Sequence, residues 1–584
     1  MNSIPTLLAE RLAAAVEAAF PGASFDRAAL VEAAQDTRFG DYQCNAALKL
    51  AKSVGRPPRD VANAIVGQLR IDDLCEPPSI AGPGFVNLTV HASLIARTAM
   101  ALRAEPTLGV APTDAPHTVV VDYSAPNIAK EMHVGHLRST IIGDSLVRVL
   151  EFLGHRVIRQ NHVGDWGTQF GMLIEHLIDS GAADAAELGV KDLDAFYQAA
   201  KRQFDASDDF KQRARARVVS LQGGDERSLA LWRRLVEESE RHFRAVYAYL
   251  GVRLTDGDIR PESFFNPRLA EVVGDLQALG LARESEGATC VFPDGFRRKD
   301  GEPLPMIVRK ADGGYLYATT DLAALRFRVS ELRADRIAYV VGEPQAQHFA
   351  MLFAVARTAG WLPSHVRAEH VGFGSVLGPD RKPFKTRAGG TVKLVDLLTE
   401  AVERGRAALV ERPGGRDLSD IGEAEKLAIA QTLGIGAVKY ADLSTDRTKD
   451  YVFDWDRMLA LNGNTAPYLI NAYVRIRSIL RKAVSVPSAE TPIVLGAPAE
   501  RDLALALTRF PEVVNAVAEK LLPHVLCTYL YELASRYHKF YETCPVLAAD
   551  DPDTRASRLA LCDVVARVLR QGLELLGIGT VEQM

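Results

Sequence analysis

At 584 residues, with 47% apolar and 24% charged side chains, the chain is too long for one hydrophobic core and has the composition of a globular protein of three or four domains. Its net charge of -5 excludes the strongly basic total of a dedicated nucleic-acid binder, although RNA contacts need only local basic patches. Six scattered cysteines (Cys44, Cys75, Cys290, Cys527, Cys544 and Cys562) make no CxxC pair, which argues against a disulfide framework or structural zinc and for a reducing cytoplasm. Residues 1–5 lack the basic stretch and apolar core of a signal peptide, and no run of about 18 apolar residues predicts a membrane span.

Residues 1–112 read as a small α+β unit. Helical periodicity appears around Leu7, Leu8 and Leu12 and again around Val61, Ala62, Ile65 and Val66; a strand-like run, 84–90, follows the turn signal Gly82-Pro83. A linker rich in Pro and Thr (106–116) leads to Thr118-Val119-Val120-Val121-Asp122-Tyr123, a β-branched run suited to a buried parallel strand. A loop from Ser124 to Asn127, a helix from about Gly135 to Leu153 stopped by Gly154, and a second strand, 156–161, complete a βαβ unit of about 45 residues, the building block of a nucleotide-binding sheet.

Between about 180 and 255 the chain is polar and helical, an insertion in that sheet. Met306-Ile307-Val308-Arg309, an Asp312-Gly313-Gly314 turn and Tyr315-Leu316-Tyr317 predict a hairpin, and 337–341 a further buried strand. From about 420 the chain is helical almost throughout; in 468–482 Leu469, Ala472, Tyr473, Ile476, Ile479 and Leu480 share one face. A Pro-rich linker, 484–498, precedes further helices to about Leu576. The predicted architecture is multidomain α/β: an N-terminal α+β domain (1–112), a Rossmann-like parallel-sheet domain (113–395), a helical connection (396–450) and an all-α bundle (451–584).

The sharpest motif is His133-Val134-Gly135-His136, between a strand and a helix and preceded by Pro126-Asn127-Ile128-Ala129-Lys130. A helix N-terminus offers unpaired N–H groups and partial positive charge to phosphate. Two histidines there add donors, and Gly135 removes a side chain where a nucleotide would approach. Such groups stabilise a pentavalent phosphorus by position and charge, without covalent participation. Alone, the motif also suits two surface histidines. Far downstream, Lys382-Pro383-Phe384-Lys385-Thr386-Arg387-Ala388-Gly389-Gly390 is a basic, glycine-ended loop suited to phosphate oxygens or, taken singly, a solvated charge run.

Together these stretches resemble the HIGH and KMSKS signatures of class I aminoacyl-tRNA synthetases. Residues 124–130, Gly164-Asp165-Trp166-Gly167-Thr168-Gln169-Phe170-Gly171 and Asn464-Thr465-Ala466-Pro467-Tyr468 extend the resemblance, in order, to the arginyl-tRNA synthetase family, and it runs from the N-terminal unit to Met584. The second signature departs from its pattern: Lys385 falls where the second lysine belongs and Thr386 keeps the hydroxyl, but Pro383 and Phe384 replace what lies between. The resemblance implies L-arginine, ATP with its Mg2+, and tRNA(Arg) as substrates, an arginyl-adenylate intermediate, and activation that waits for bound tRNA; a monomer is expected. It assigns His133, His136, Lys130 and Lys385 to catalysis and Gly135, Lys382, Thr386 and His348 to the ATP side. It leaves open how Lys130, Lys382 and Lys385 divide the charge work.

A pocket for arginine must accept a planar cation with five donors, so it needs carboxylates and no positive charge. The resemblance gives Asp122, Tyr317 and Asp321 to the guanidinium and Asn127 and Gln345 to the α-amino end. Tyr317 and Asp321 converge if a helix opens there, and Asp122, ending the first strand, would supply a second acid from across the sheet. Singly, Asp321 reads as a helix N-cap, Tyr317 as a half-buried strand aromatic and Gln345 as a loop residue. The resemblance places Trp166 and Gln169 around the site; singly they read as a core tryptophan and a turn. The C-terminal bundle resembles the family's anticodon-binding domain and the N-terminal unit its domain at the tRNA corner. Tyr468, Asn471, Tyr473 and Arg475 are candidate RNA contacts, although a bundle core explains Tyr473 equally well. The competing functions are a class I synthetase for another amino acid, a non-catalytic RNA-binding relative, and a free-standing nucleotidyltransferase.

Overall fold

The computed structural model describes residues 3–34, 36–167, 169–181, 183, 193–384, 392–410, 421–483, 487–488 and 490–584. In the N-terminal unit, α1 (Ile4–Ala19), α2 (Ala46–Val54), α3 (Pro58–Gln68) and α4 (Ala92–Ala104) accompany β1 (Glu32–Ala33), β2 (Tyr42–Cys44), β3 (Ser79–Ala81) and β4 (Phe85–Leu88), an antiparallel sheet in the order β1-β2-β4-β3. Leu8, Leu12, Val61 and Ile65, the periodic residues of two of those helices, are buried.

The second unit is built on a parallel sheet of β5 (Thr118–Asp122), β6 (Arg156–Gln160), β10 (Arg336–Tyr339) and β11 (Arg367–His370) in the order β11-β10-β5-β6. The chain leaves β5 toward β6 on one side and later returns to β10 on the other, so β5 and β10 flank a topological switch point, the crevice where open α/β sheets bind ligands. The β5 valines are buried on both faces: Val119 and Val121 join one core and Val120 the other. Each contributes about 1.5–3 kcal/mol relative to exposure. The helix α5 (Val134–Phe152) joins β5 to β6 and is buried along much of its length; a Cβ on Gly143 would overlap the Tyr123 ring, so only glycine lets the two pack.

After β6 come α6 (Gln169–Asp179) and the inserted helices α7 (Leu193–Ala206), α8 (Asp208–Gln222) and α9 (Glu226–Leu250). Then α10 (Asn266–Ala278) leads to a small antiparallel sheet of β7 (Ala282–Ser285), β8 (Ala288–Val291) and β9 (Met306–Arg309). The expected hairpin after β9 is cut short. Its turn closes, with Gly313 N donating to Lys310 O at 3.0 Å, but only Tyr315 bridges back, to Arg309. Thr319 N donates to Leu316 O at 2.9 Å, so α11 (Tyr317–Ser330) takes Tyr317 as its first residue rather than leaving it in a strand. Asp321 is accordingly inside that helix and is not its N-cap, which is Leu316.

The remaining elements are α12 (Ala346–Thr358) between β10 and β11, β12 (Val376–Leu377) paired in parallel with β13 (Tyr451–Val452), and the helices α13 (Leu394–Val410), α14 (Glu423–Leu443) and α15 (Trp455–Leu459). The C-terminal bundle contains α16 (Ala466–Lys482), α17 (Pro498–Thr508), α18 (Phe510–Lys520), α19 (His524–Thr543) and α20 (Pro552–Leu575). The predicted apolar face of α16 is buried in full, from Leu469 to Leu480. Arg501 of α17 forks onto Asp41 at 3.0 and 2.6 Å and ties the bundle to the N-terminal unit. Arg138 of α5 pairs with Asp442 of α14 at 3.1 Å and ties the sheet to the helical region. Among the described residues no helix is long and apolar enough to cross a membrane.

Candidate functional site

The first signature forms a reciprocal cap at the start of α5. Gly135 N donates to Nδ1 of His133 at 3.0 Å and His133 N to Nδ1 of His136 at 3.1 Å, with the ring centroids 4.0 Å apart. Val134 N donates to Val392 O at 3.1 Å and His136 N to His133 O at 2.8 Å. The backbone donors that a helix start normally offers to phosphate are therefore already used. What remains are the rings. With both Nδ1 atoms accepting, each neutral imidazole carries its proton on Nε2, leaving that N–H to donate. Burial, and the neighbouring imidazole, push His136 down to about 3, and burial lowers His133, so the pair is neutral at physiological pH. Gly135 has a reason the sequence did not suggest: a Cβ there would lie 2.8 Å from the His133 ring it supports.

The loop between β5 and this cap is strained and heavily braced. Ser124, Ala125 and Ala129 adopt φ of 74°, 44° and 60°, left-handed values unfavourable for residues with a Cβ. Ser124 N donates to Ser139 Oγ at 2.9 Å and Ala125 N to Asn161 Oδ1 at 3.0 Å, while Asn161 and Ser124 both meet the Tyr247 hydroxyl, at 2.9 and 2.8 Å. Asn127 is exposed in that loop and bridges to Gly164, where a Cβ would strike its Oδ1.

Near the second signature, Gly378 N donates to Lys382 O at 2.8 Å and Leu377 bridges Pro383, which leaves Lys382 exposed. Phe384 stacks on Phe453 at 4.8 Å. Lys385, Thr386 and the glycine-ended remainder of the loop lie outside the described residues. Beyond it, Lys393 pairs with Glu131 at 3.1 Å and Leu394 N donates to Met132 O at 2.8 Å, so the chain returns directly to the first signature.

The amino-acid side differs from its sequence expectation in one acid. Asp122 is buried and accepts from Arg328 at 2.8 Å; Arg328 also donates to Gln160 Oε1 at 2.6 Å. Its charge is neutralised inside the fold, since an unpaired carboxylate could not be buried there. The second acid near Asp321 is Glu262, which sequence reasoning missed. Residues 259–262 run beside 161–163, with Arg260 N donating to Asn161 O at 3.0 Å and Glu262 N to Val163 O at 3.0 Å. Burial pushes Glu262 up to about 7, with Asp165 and Asp321 adding to the rise and His162 and the Trp166 N–H opposing it. Burial likewise raises Asp165, which accepts from Ser263 N at 2.9 Å and Ser263 Oγ at 2.5 Å.

Asp321 accepts from Nε2 of His348 at 2.7 Å and lies 3.9 Å from Nε2 of His162. Tyr317 is 64% exposed, and its ring meets His348 edge-on at 5.0 Å. Tyr317, Asp321 and His348 are thus brought together, which sets His348 on the carboxylate side. Gln345 caps α12 and is exposed. Trp166 is half-buried against Trp232 at 5.7 Å, and Gln169 opens α6 with Nε2 3.5 Å from Trp166 O.

Three family models match the chain in sequence: the arginyl tRNA synthetase N terminal domain over 6–90, the class I (R) tRNA synthetase catalytic domain over 100–455, and the DALR anticodon binding domain over 469–584. The chain is 52% identical over 583 residues to an arginine–tRNA ligase of Thermobifida fusca, covering 99% of each chain. The chain belongs to the arginyl-tRNA synthetase family. A similar protein of Synechococcus elongatus, an arginine–tRNA ligase, is 50% identical over 582 residues, again 99% of each chain. Arginyl-tRNA synthetase of Plasmodium falciparum superposes with a TM-score of 0.86 at 31% identity over 100% of both chains, and that of Thermus thermophilus shares the fold with a TM-score of 0.80 over 99% of both.

On α16, Tyr468 is half-buried among Tyr531 at 5.6 Å and His538 at 5.1 Å, and Arg475, within the matched anticodon-binding domain, approaches His538 Nδ1 at 3.3 Å and the Tyr541 ring at 5.6 Å. Asn471 is half-buried on the same helix. Tyr473 belongs to the core, not to an RNA surface: it is 2% exposed and its hydroxyl donates to Glu582 at 2.8 Å.

Proposed function

We infer that this synthetase joins L-arginine to tRNA(Arg) at the expense of ATP, through arginyl-adenylate, releasing pyrophosphate and AMP. One observation carries the reading beyond the family likeness. The start of α5, with its two imidazole Nε2–H donors, and the first turn of α11, with Asp321 near Glu262, both lie beyond the carboxyl ends of the strands of one parallel sheet.

In the first step an arginine carboxylate oxygen attacks the α-phosphorus of Mg-ATP, and the bond to the bridging oxygen breaks as pyrophosphate leaves. His133 and His136 donate Nε2–H to the phosphate oxygens on which charge develops. Lys130 and Lys385 would attract the departing pyrophosphate, and Lys382 and Thr386 are assigned to the ATP side with them. In the second step the terminal 2′-hydroxyl of the tRNA attacks the adenylate carbonyl, the bond from that carbon to the phosphate oxygen breaks, and AMP departs with the proton passing to its phosphate or to water. No side-chain nucleophile is needed. Asp321 and Glu262 would take the guanidinium, with Tyr317 alongside; Asn127 and Gln345 would orient the amino group. Lysine offers no planar fork to two carboxylates and is rejected by the same pocket. We take 113–395 as the catalytic unit and 451–584 as the anticodon reader, with Tyr468, Asn471 and Arg475 as contacts, in a cytoplasmic monomer.

Pyrophosphate exchange measured with each amino acid in turn, with and without tRNA, tests the assignment. Arginine alone should support exchange, and only with tRNA present; a chain that exchanges with another amino acid, or with none, is not what we infer.

A further inference from the structure

The inserted helices hold the loop before the first signature at four points. Tyr247 meets Ser124 Oγ at 2.8 Å, Ser239 Oγ accepts from Ala129 N at 2.9 Å, and Asp194 Oδ1 accepts from Glu131 N at 3.1 Å. The fourth contact is different in kind: the Lys130 ammonium lies 4.5 Å from the centroid of the Tyr197 ring. Among the described residues no carboxylate pairs with Lys130. Its charge is nonetheless felt next door, because it helps lower the pKa of both His133 and His136. An aromatic face attracts a cation without cancelling its charge, whereas a carboxylate in the same place would neutralise it.

We propose that Tyr197 is a positioning residue for the ATP step: its ring holds the Lys130 ammonium beside the histidine pair, where it attracts the departing pyrophosphate. A second signature with Pro383 and Phe384 between its lysines gives that charge more to do. The proposal rests on the function inferred above and deepens it, because it makes an inserted helix part of the phosphate site.

The test uses the full chain with tRNA present. Tyr197→Phe keeps the ring and should stay within about twofold of wild type, whereas Tyr197→Leu keeps bulk but loses the aromatic face and should lower kcat for arginine-dependent pyrophosphate exchange about tenfold. The arginine KM should be unchanged in both. In a Lys130→Ala background Tyr197→Leu should have no further effect, because the two act as one unit. Equal rates for the Phe and Leu variants, or a loss of the same size in the Lys130→Ala background, would overturn the proposal. A wild-type chain without arginine-dependent exchange would instead remove the function on which it rests.

Discussion

The two halves of the site are built in opposite ways. On the phosphate half, the backbone donors at the start of α5 are satisfied before substrate arrives: the His133 and His136 rings cap that turn and are held neutral. On the arginine half, carboxylates are gathered at a cost. Glu262, Asp165 and Asp321 stand near one another, and Glu262 is pushed up to about 7. The first half is a set of fixed donors that needs no reorganisation as charge develops. The second is a half-buried cluster of acids that, on the proposed function, a guanidinium would neutralise.

The contrast can be broken at several points, starting where the expected effect is largest. Asp122→Asn, which leaves the buried Arg328 without its ion pair, should cost about 3 kcal/mol of stability. Thermal unfolding would register this, and the arginine KM should move little. A large rise in KM with unchanged stability would return Asp122 to the pocket. His136→Ala should lower kcat for exchange by about 10²-fold, the effect of removing one transition-state donor, while tRNA affinity is retained. An unaltered rate would remove the ring from the chemistry. Glu262→Gln should raise the arginine KM about tenfold at pH 8, as expected for losing a charge-assisted hydrogen bond, and leave the ATP KM unchanged. Smallest of all, Tyr247→Phe, which removes one hydroxyl from the brace under Ser124, should reduce kcat about fivefold. Steady-state kinetics that show no change would make that brace dispensable.

How much of this was legible follows from the same contrast. The proposed phosphate half is local: a β-branched strand, a loop and a capped helix lie within residues 118–152, so periodicity and one motif anticipated those elements. The arginine half is not local. Glu262 lies in Pro261-Glu262-Ser263, where no spacing marks it, and it comes near Asp321 because 259–262 runs beside 161–163. Asp122 misled for the converse reason. An acid ending a strand resembles a ligand, and the arginine that neutralises it is 206 residues away. The Tyr315–Tyr317 arm read as a strand because its aromatics alternate, but the helix that follows claimed Tyr317. Tyr473 obeyed the helical period and went to the core. The braces from Asp194, Tyr197, Ser239 and Tyr247 sit among polar residues of an insertion, where nothing in the sequence separates an anchor from a solvated face.

The most direct test of this division is the pH dependence of the two Michaelis constants in the exchange reaction between pH 6 and 8. In the pocket proposed above Glu262 must be ionised to pair with a guanidinium, and burial pushes its carboxyl up to about 7. A raised carboxyl pKa means protons compete with arginine below that value and leave as pH rises through it. The arginine KM should therefore fall from pH 6 to pH 8, and the Glu262→Gln variant should lose that fall. The ATP KM should stay flat, because His136 titrates only near 3. An arginine KM that is level across this range, or an ATP KM that falls in step with it, would contradict the account.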